Sequence, residues 1–369
     1  MARLHGLTLI RDEWPLALLS INHALLHHVD RLLCAVQVSA DGTLEGVQQL
    51  RGFWGERLTV VEIRSEAYLQ EAIVATLVHQ LAAQAAPHDW LYVFDADEFA
   101  VSPAALPLRE QIAARAEEGP ELRYQVCNWI APVDMDDQDL AAYGRIRHRA
   151  RPCVFLSLPP HILAEEIGRG FVNYFDLPFY DKGLFRFDAL RECWLGPGAH
   201  RLRPPAAPLR PSAALPPEVF HAMHLPLLSR RRLEGRLAQA RNLKAQGFPF
   251  HHGWQSRMLL DLEEAQELDA FWRRHAIGPE SPLGAPGQPC VEESDLFATA
   301  LEPALALSRS LLDASPAVDP PQRLSEEACL GTIHQLQTQL KDLHRDLMRH
   351  GVQQVAAQWY GSGAPPGPA

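Results

Sequence analysis

The first 95 residues alternate short apolar runs with segments of helical period, and that alternation limits the folds open to the chain. LHGLTLI (4–10), LLCAVQV (32–38), LTVVEI (58–63) and DWLYVFD (89–95) are six or seven residues long and largely apolar. Runs of that kind read as strands buried on both faces. Between them lie EWPLALLSINHALLHH (13–28), a segment around LEGVQQL (44–50) and YLQEAIVATLVHQLAAQA (68–85), all with helical spacing. Pro15 falls in the first turn of the first helix, where its missing N–H is harmless. SADGT closes the second strand as a turn with Gly42. The pattern β-α-β-α-β-α-β predicts an α/β domain, a mostly parallel sheet with helices on its faces. Such sheets bind ligands beyond the carboxyl ends of their strands.

Downstream the rhythm changes. LPLREQIAARAEE (106–118) reads as a helix, and LRYQVCNWIA (122–131) and CVFLSL (153–158) read as strands. FVNYFDLPFYDKGLFRF (171–187) and a proline-rich stretch (201–217) follow. VFHAMHLPLLS (219–229) is a short strand with two histidines, RRRLEGRLAQARNLKAQ (230–246) a basic helix, and MLLDLEEAQELDAFWRRH (258–275) a single further helix. IGPESPLGAPGQPC breaks the pattern. Leu330, Ile333, Leu336, Leu340, Leu343 and Leu347 recur at three or four, so 324–359 is expected to form an amphipathic helix. It would pack on the core or on a second copy of the chain. The expected organisation is an α/β domain over 1–255, a helical C-terminal region over 256–359 and a disordered tail over 360–369.

Composition removes several function classes. A formal charge of −11 argues against nonspecific binding to a nucleic-acid backbone. The six cysteines are scattered singly, without a CxxC, so neither a disulfide scaffold nor a thiolate zinc site is expected. No run approaches ~20 apolar residues, and the start lacks a leader-like pattern, so the expectation is a cytoplasmic protein without a membrane span. GxxxxGK[ST], GxSxG and HExxH are all absent.

The fourth strand runs into Asp95, Asp97 and Glu98. Acids so closely spaced at a strand end form either a solvated turn or the oxygen ligands of a hard divalent cation. A cation of that type suits a diphosphate.

DWLYVFDADEF resembles the metal-binding motif W-x-x-x-x-D-x-D-E-F of a family-2-like branch of bacterial nucleotide-sugar glycosyltransferases with the GT-A fold. LTLIRDEWPLALLSINHALLHHVDRLLCAVQVSADGT is similar to that branch's strand, R-N-E segment, helix, strand and D-G-T turn. A weaker likeness continues to about residue 245 through DKGLFRF and FHAMHLPLLSRRRLEGRL. Asp12 stands where an Asn is common, and the second-strand turn offers only Asp41. The resemblance implies a GT-A-like domain with Mn²⁺ or Mg²⁺ held by Asp95 and Asp97 and by His221 or His224. It implies donor contacts from Arg11, Asp12, Glu13, Asp41, Asp95, Lys182 and Arg186. Arg230, Arg231, Arg232 and Lys244 would neutralise a departing diphosphate. Glu98 would orient the turn or reach the acceptor, and Asp134 or Asp136 would be the base. The implied activity moves a sugar, with inversion, from a nucleotide-sugar donor to a glycan or other cell-envelope acceptor. The alternative is an inactive module of the same fold that binds a nucleotide sugar or a protein.

Overall fold

The computed structural model describes residues 2–64, 70–103, 108–151, 160–177, 179, 181–191, 193–195, 202–203, 212–245, 254–279, 283, 290–312, 322–324 and 331. The first half runs β1 (Leu4–Ile10), α1 (Leu16–His27), β2 (Arg31–Gln37), α2 (Thr43–Trp54), β3 (Leu58–Ile63), α3 (Gln70–Gln84) and β4 (Trp90–Val93). Then come β5 (Glu98–Val101), α4 (Leu108–Ala114), β6 (Glu121–Ile130), β7 (His148–Arg151), α5 (Pro160–Gly168), β8 (Lys182–Arg186) and α6 (Phe187–Leu190). The remainder is β9 (Trp194–Leu195), β10 (Leu202–Arg203), β11 (Ala213–Ala214), β12 (His221–His224), α7 (Arg230–Ala245), α8 (Trp254–Glu264), α9 (Leu268–His275), β13 (Cys290–Glu293), α10 (Leu296–Leu312) and β14 (Gln322–Leu324).

β3, β2, β1 and β4 lie side by side and parallel, with Leu7 opposite both Leu33 and Val93. β8 joins β4 antiparallel and β6 joins β8 antiparallel, so β6 again points the way of the first four strands. β12 runs parallel to β6 and antiparallel to β5. The result is a mixed α/β sheet in the order β13-β7-β6-β8-β4-β1-β2-β3-β14, with β11 and β12 also pairing with β6, and β12 with β5.

The two sheet faces have separate cores. Leu32, Cys34, Val36, Val60, Trp90 and Tyr92 pack with α1, α2 and α10. Leu7, Leu33, Ala35, Val61, Leu91 and Val93 pack with α3 and α6. Burial on both faces is why these strands read as continuous apolar runs. α1 is buried on nearly every side because α10 lies over it, and Asn22 Nδ2 donates to Ser308 Oγ at 3.0 Å. α5, α7, α8 and α9 form a third core against Ile130 and Ala150.

Several boundaries differ from the sequence reading. The single helix expected over 258–275 is two helices, because Gln266 takes a left-handed φ of 58° and ends α8. β4 stops at Val93, and the chain turns into a strand, β5, that the pattern did not show. The first helix begins at Leu16 rather than at 13. The expected strand 153–158, most of the proline-rich stretch, nearly all of the 324–359 helix and the tail lie outside the described residues. No helix among the described residues is long and apolar enough to cross a membrane.

Candidate functional site

The apolar run before the acids fixes a tight turn between β4 and β5. Glu98 N donates to Asp95 O at 2.9 Å, while Phe94, Ala96 and Phe99 are buried. β12 clamps the far side: Glu98 is registered with His224, and Leu225 N donates to Asp97 O at 2.9 Å. Residues directly opposite each other share a sheet face. Glu98 opposite His224, His224 opposite Asn128, and Tyr124 opposite Lys182 therefore line one face. The acidic turn is held at the carboxyl end of β4, and its carboxylates diverge.

Asp95 and Glu98 turn to Lys182. Its Nζ lies 2.8 Å from Asp95 Oδ2 and 2.7 Å from Glu98 Oε1. Lys182 is 3% exposed and Glu98 0%, whereas Asp95 is 49% exposed. Burial pushes the Glu98 carboxyl up to about 8, against the pull of Lys182. Burial alone would pull Lys182 down, but the Asp95 and Glu98 carboxylates hold it above its ordinary value. Tyr92 and Tyr124 lie in the same buried group, and burial raises both phenols, so they stay protonated. A buried charge is tolerable only with such partners. Here the pairing fixes Asp95, whose side chain stays half exposed.

Asp97 faces His224 and α7. Arg236 Nη2 is 2.9 Å from Asp97 Oδ2, and His224 Nε2 is 3.8 Å from Asp97 Oδ1. His224 Nδ1–H donates to Asn128 Oδ1 at 2.8 Å, so Nε2 carries the lone pair. Burial lowers His224 to about 4, against the pull of Asp97, and the ring is neutral at pH 7. The Phe179 ring covers it, with centroids 4.5 Å apart. A neutral imidazole nitrogen facing a carboxylate oxygen, with the ring fixed by Asn128, is a donor pair that fits a divalent cation. Among the described residues no group of three or more His, Cys, Asp or Glu side chains converges. A cation held there would complete its shell with water and ligand oxygens, as Mg²⁺-type ions do.

The start of α7 ties three loops to this turn. Arg231 Nε lies 3.0 Å and Nη2 2.5 Å from the Asp137 carboxylate, Arg232 pairs with Glu13, and Arg236 with Asp97. Glu13 follows β1, Asp97 follows β4 and Asp137 follows β6. Asp137 is buried and also accepts from Ser229 Oγ at 2.8 Å. The Arg232 side chain is only 9% exposed, and its Nη1 has no hydrogen-bond partner. Burial, with Arg236 beside it, lowers Arg232 to about 9.

The structure brings together Asp95, Asp97, Glu98, Lys182 and His224, with Glu13 joined through Arg232. Asp12 and Asp41 lie at the neighbouring strand ends and bind the two loops to each other. Asp12 takes a φ of 53° and accepts Ala40 N at 2.7 Å, and Asp41 accepts Trp14 N at 3.0 Å and Thr43 N at 3.1 Å. Arg11 Nε is 3.7 Å from Asp12.

His221 does not join the group. It is three positions from His224 on β12, hence on the other face, with Nδ1 held by Pro217 O at 2.8 Å. Arg186 lies at the opposite end of β8, across from Trp90, roughly 13 Å along the strand from Lys182. It pairs with Asp188. Arg230 turns away to Asp269 and Glu234, and Lys244 is about 20 Å further along α7. Asp134 is 68% exposed and pairs with Arg145, and Asp136 accepts Gln138 N at 3.0 Å.

Asn128, Asp137 and Arg236 carry weight that the sequence reading did not give them. Asn128 is a polar residue at an inward position of β6, in alternation with Tyr124 and Val126. Arg236 is four residues after Arg232, on the same face of the basic helix. Both signals were present in the sequence.

No family model matches the chain, and no curated protein matches it. Among solved structures it is similar to S. aureus TarS, at 9% identity over 65% of this chain and 39% of that one, with a TM-score of 0.32. It is similar to TarS 1–349 at 10% identity over 65% of each chain, with a TM-score of 0.33. It is also similar to 4-diphosphocytidyl-2C-methyl-D-erythritol synthase, at 16% identity over 51% of this chain and 77% of that one, with a TM-score of 0.28. The chain thus spans less than two thirds of either TarS chain. Likeness at this level carries no conclusion about the site.

Proposed function

We propose that the chain is a divalent-cation-dependent glycosyltransferase of GT-A type, transferring a sugar from a nucleotide-sugar donor to a glycan or other cell-envelope acceptor with inversion. The observation that carries the reading is the rigid turn of Asp95, Asp97 and Glu98 at the carboxyl end of β4, facing His224. The run β3-β2-β1-β4-β8-β6, with β8 antiparallel, supports it.

In this reading Asp97 and His224 hold Mn²⁺ or Mg²⁺, which supplies positive charge to the departing diphosphate. Asp95 faces the donor, fixed by Lys182. Glu98, fully enclosed, acts through Lys182 as a positioning residue. The loops carrying Arg11, Asp12, Glu13 and Asp41 lie at the ends of β1 and β2 and receive the nucleoside. The acceptor hydroxyl attacks the anomeric carbon, the bond from that carbon to the diphosphate oxygen breaks, and the hydroxyl proton passes to a carboxylate. We assign that role to Asp136, since Asp134 is held by Arg145. His221 and Arg186 have no part, because their side chains lie on another face and at another end of the sheet.

A panel of nucleotide sugars tests the reading. Nucleoside diphosphate release is expected with Mn²⁺ and an envelope glycan extract, to stop with chelator, and to be lost in Asp97→Asn. Asp136→Asn is expected to keep donor affinity and to lower turnover by about 100-fold. Donor binding without release across the panel would favour a binding module. Absence of both binding and release would end the nucleotide-sugar reading.

A further inference from the structure

Asp97, the carboxylate at the centre of the turn, is already paired. Arg236 Nη2 lies 2.9 Å from its Oδ2, and Arg236 Nη1 donates to Pro226 O at 2.6 Å, which aims the guanidinium fork at the turn. The arginine supplies the positive charge that a cation would bring. One helical turn earlier, Arg232 is held by Glu13 in the same manner, with Nη1 buried and unpartnered. The two guanidinium groups repel, which is part of why Arg232 titrates low. Loop carboxylates hold them together, and one donor is left over. The occupant that matches two adjacent guanidinium groups with a spare N–H is a polyanion of closely spaced oxygens.

We propose that Arg236 is an exchangeable counter-ion of Asp97, released when a divalent cation and a diphosphate bind together. The cation takes Asp97, and the diphosphate takes the Arg232–Arg236 pair. This rests on the glycosyltransferase reading and adds a coupling to it. A cation alone must displace Arg236 from Asp97 without giving it a new partner. A diphosphate alone must draw Arg236 away and leave a largely buried carboxylate uncompensated. With both ligands present every charge is paired again, so each ligand strengthens the other. A guanidinium serving only as a brace would behave differently, because its removal would weaken both ligands.

Calorimetry on the full chain separates these cases, with Mn²⁺ alone, inorganic pyrophosphate alone in chelator, and pyrophosphate in the presence of Mn²⁺. In the unmodified chain each ligand is expected to bind weakly alone and more tightly beside the other. Arg236→Gln is expected to bind Mn²⁺ alone about fivefold more tightly, the gain from losing a partly exposed ion pair. The same variant is expected to bind pyrophosphate alone more weakly and to lose most of the coupling. Asp97→Asn gives the reciprocal result: Mn²⁺ binding is lost, while pyrophosphate alone binds more tightly because Arg236 is free. That arm stands even if the Arg236 variant fails to fold. Arg236→Lys, which keeps the charge without the fork, falls between. Unchanged or weaker Mn²⁺ binding in a folded Arg236→Gln, or no gain in pyrophosphate affinity in Asp97→Asn, overturns the exchange and leaves the parent reading standing. An unmodified chain that binds neither probe overturns both.

Discussion

β5 has a polar group on each side, centred on the buried Glu98 and the buried His23, and the two have opposite character. On one side Glu98 joins Lys182 and Asp95 in contacts of 2.7 and 2.8 Å. On the other, His23, His27 and His28 at the end of α1 form a triangle with ring centroids 5.2, 5.2 and 6.0 Å apart. His23 Nε2 meets the Ala100 carbonyl at 2.6 Å, and Phe99 and Phe220 present their edges to the rings. His23 Nδ1 and His28 Nδ1 have no partner. The groups that act on these rings are one another and that carbonyl. Burial therefore lowers His23 to about 4 and His28 well below its ordinary value. Lys182 and His23, each 3% exposed, thus come out differently. Lys182, with two carboxyl groups in contact, keeps its charge, whereas His23 and His28, with no opposite charge in contact, lose theirs.

The most damaging way to break this comparison is to take the shared cation from the first group. Lys182→Met leaves Glu98 enclosed beside Asp95 with no positive partner. Removing one member of a buried pair costs roughly 3–5 kcal/mol. Urea unfolding at pH 7 should show a loss of that size, with part of it recovered in Lys182→Met, Glu98→Gln. A single variant within about 1 kcal/mol of the parent would mean that Lys182 does not hold the turn.

The second group is broken by acid. A histidine whose folded-state value is lowered is protonated first in the unfolded chain. Its stabilising contribution is full above the unfolded value of 6.5 and is lost as pH falls toward about 4. For His23 the shift corresponds to about 3 kcal/mol. Unfolding free energies measured from pH 7 down to pH 4 should fall steeply, and His23→Gln, which cannot titrate, should flatten the profile by about that amount. His224 and His275, also lowered to about 4, contribute in the same sense. An identical slope in the variant would show that His23 is not held neutral.

The two groups were unequally legible in the sequence. The first four strands and their order of appearance followed from apolar runs, because burial on both faces leaves little else at those positions. The acidic turn was legible because charge at the end of such a run is conspicuous. The choice between His221 and His224 was not, since it depends on the register of β12 against β5 and β6. The part played by Lys182 was hidden for the same reason: β8 pairs with β4 and β6 across long sequence separations. The histidine triangle was legible only as three letters near a helix end, because Ala100 on β5 and Phe220 just before β12 reach it from far along the chain. Asp134, Asp136 and Asp137 looked alike in NWIAPVDMDDQD, and packing alone separates the buried Asp137 from its exposed neighbours.

A smaller change sharpens the comparison inside the site. Asn128 touches neither carboxylate. It holds His224 so that the lone pair of Nε2 faces Asp97. Asn128→Ala is expected to weaken Mn²⁺ binding by about 10- to 100-fold, roughly 1.4–2.7 kcal/mol, by freeing the ring. Calorimetry with Mn²⁺ reads it directly, and a fold check by melting temperature separates lost orientation from lost structure. Asn128→Asp keeps an acceptor for Nδ1–H and should recover most of the affinity.

The smallest effect is expected at Asp134, and its smallness is informative. Asp134 and Asp136 are two residues apart in one loop, both exposed, both acidic. Asp134 is paired with Arg145, and both side chains are well into solvent, at 68% and 49% exposed. An ion pair of that kind contributes about 0–1 kcal/mol, because water screens it and two long side chains lose freedom to make it. Asp134→Asn should therefore shift stability by under about 1 kcal/mol and leave turnover near the parent value. Asp136 uses one oxygen on the Gln138 N–H, which fixes the carboxylate while its other oxygen remains for a proton. Measured side by side with Asp136→Asn, Asp134→Asn asks whether the loop acts through one carboxylate or through its summed charge. Equal losses of turnover would mean a diffuse field over the acceptor. A loss confined to Asp136→Asn would mean a single base, since proton transfer requires one atom in reach and gains little from a charge beside it.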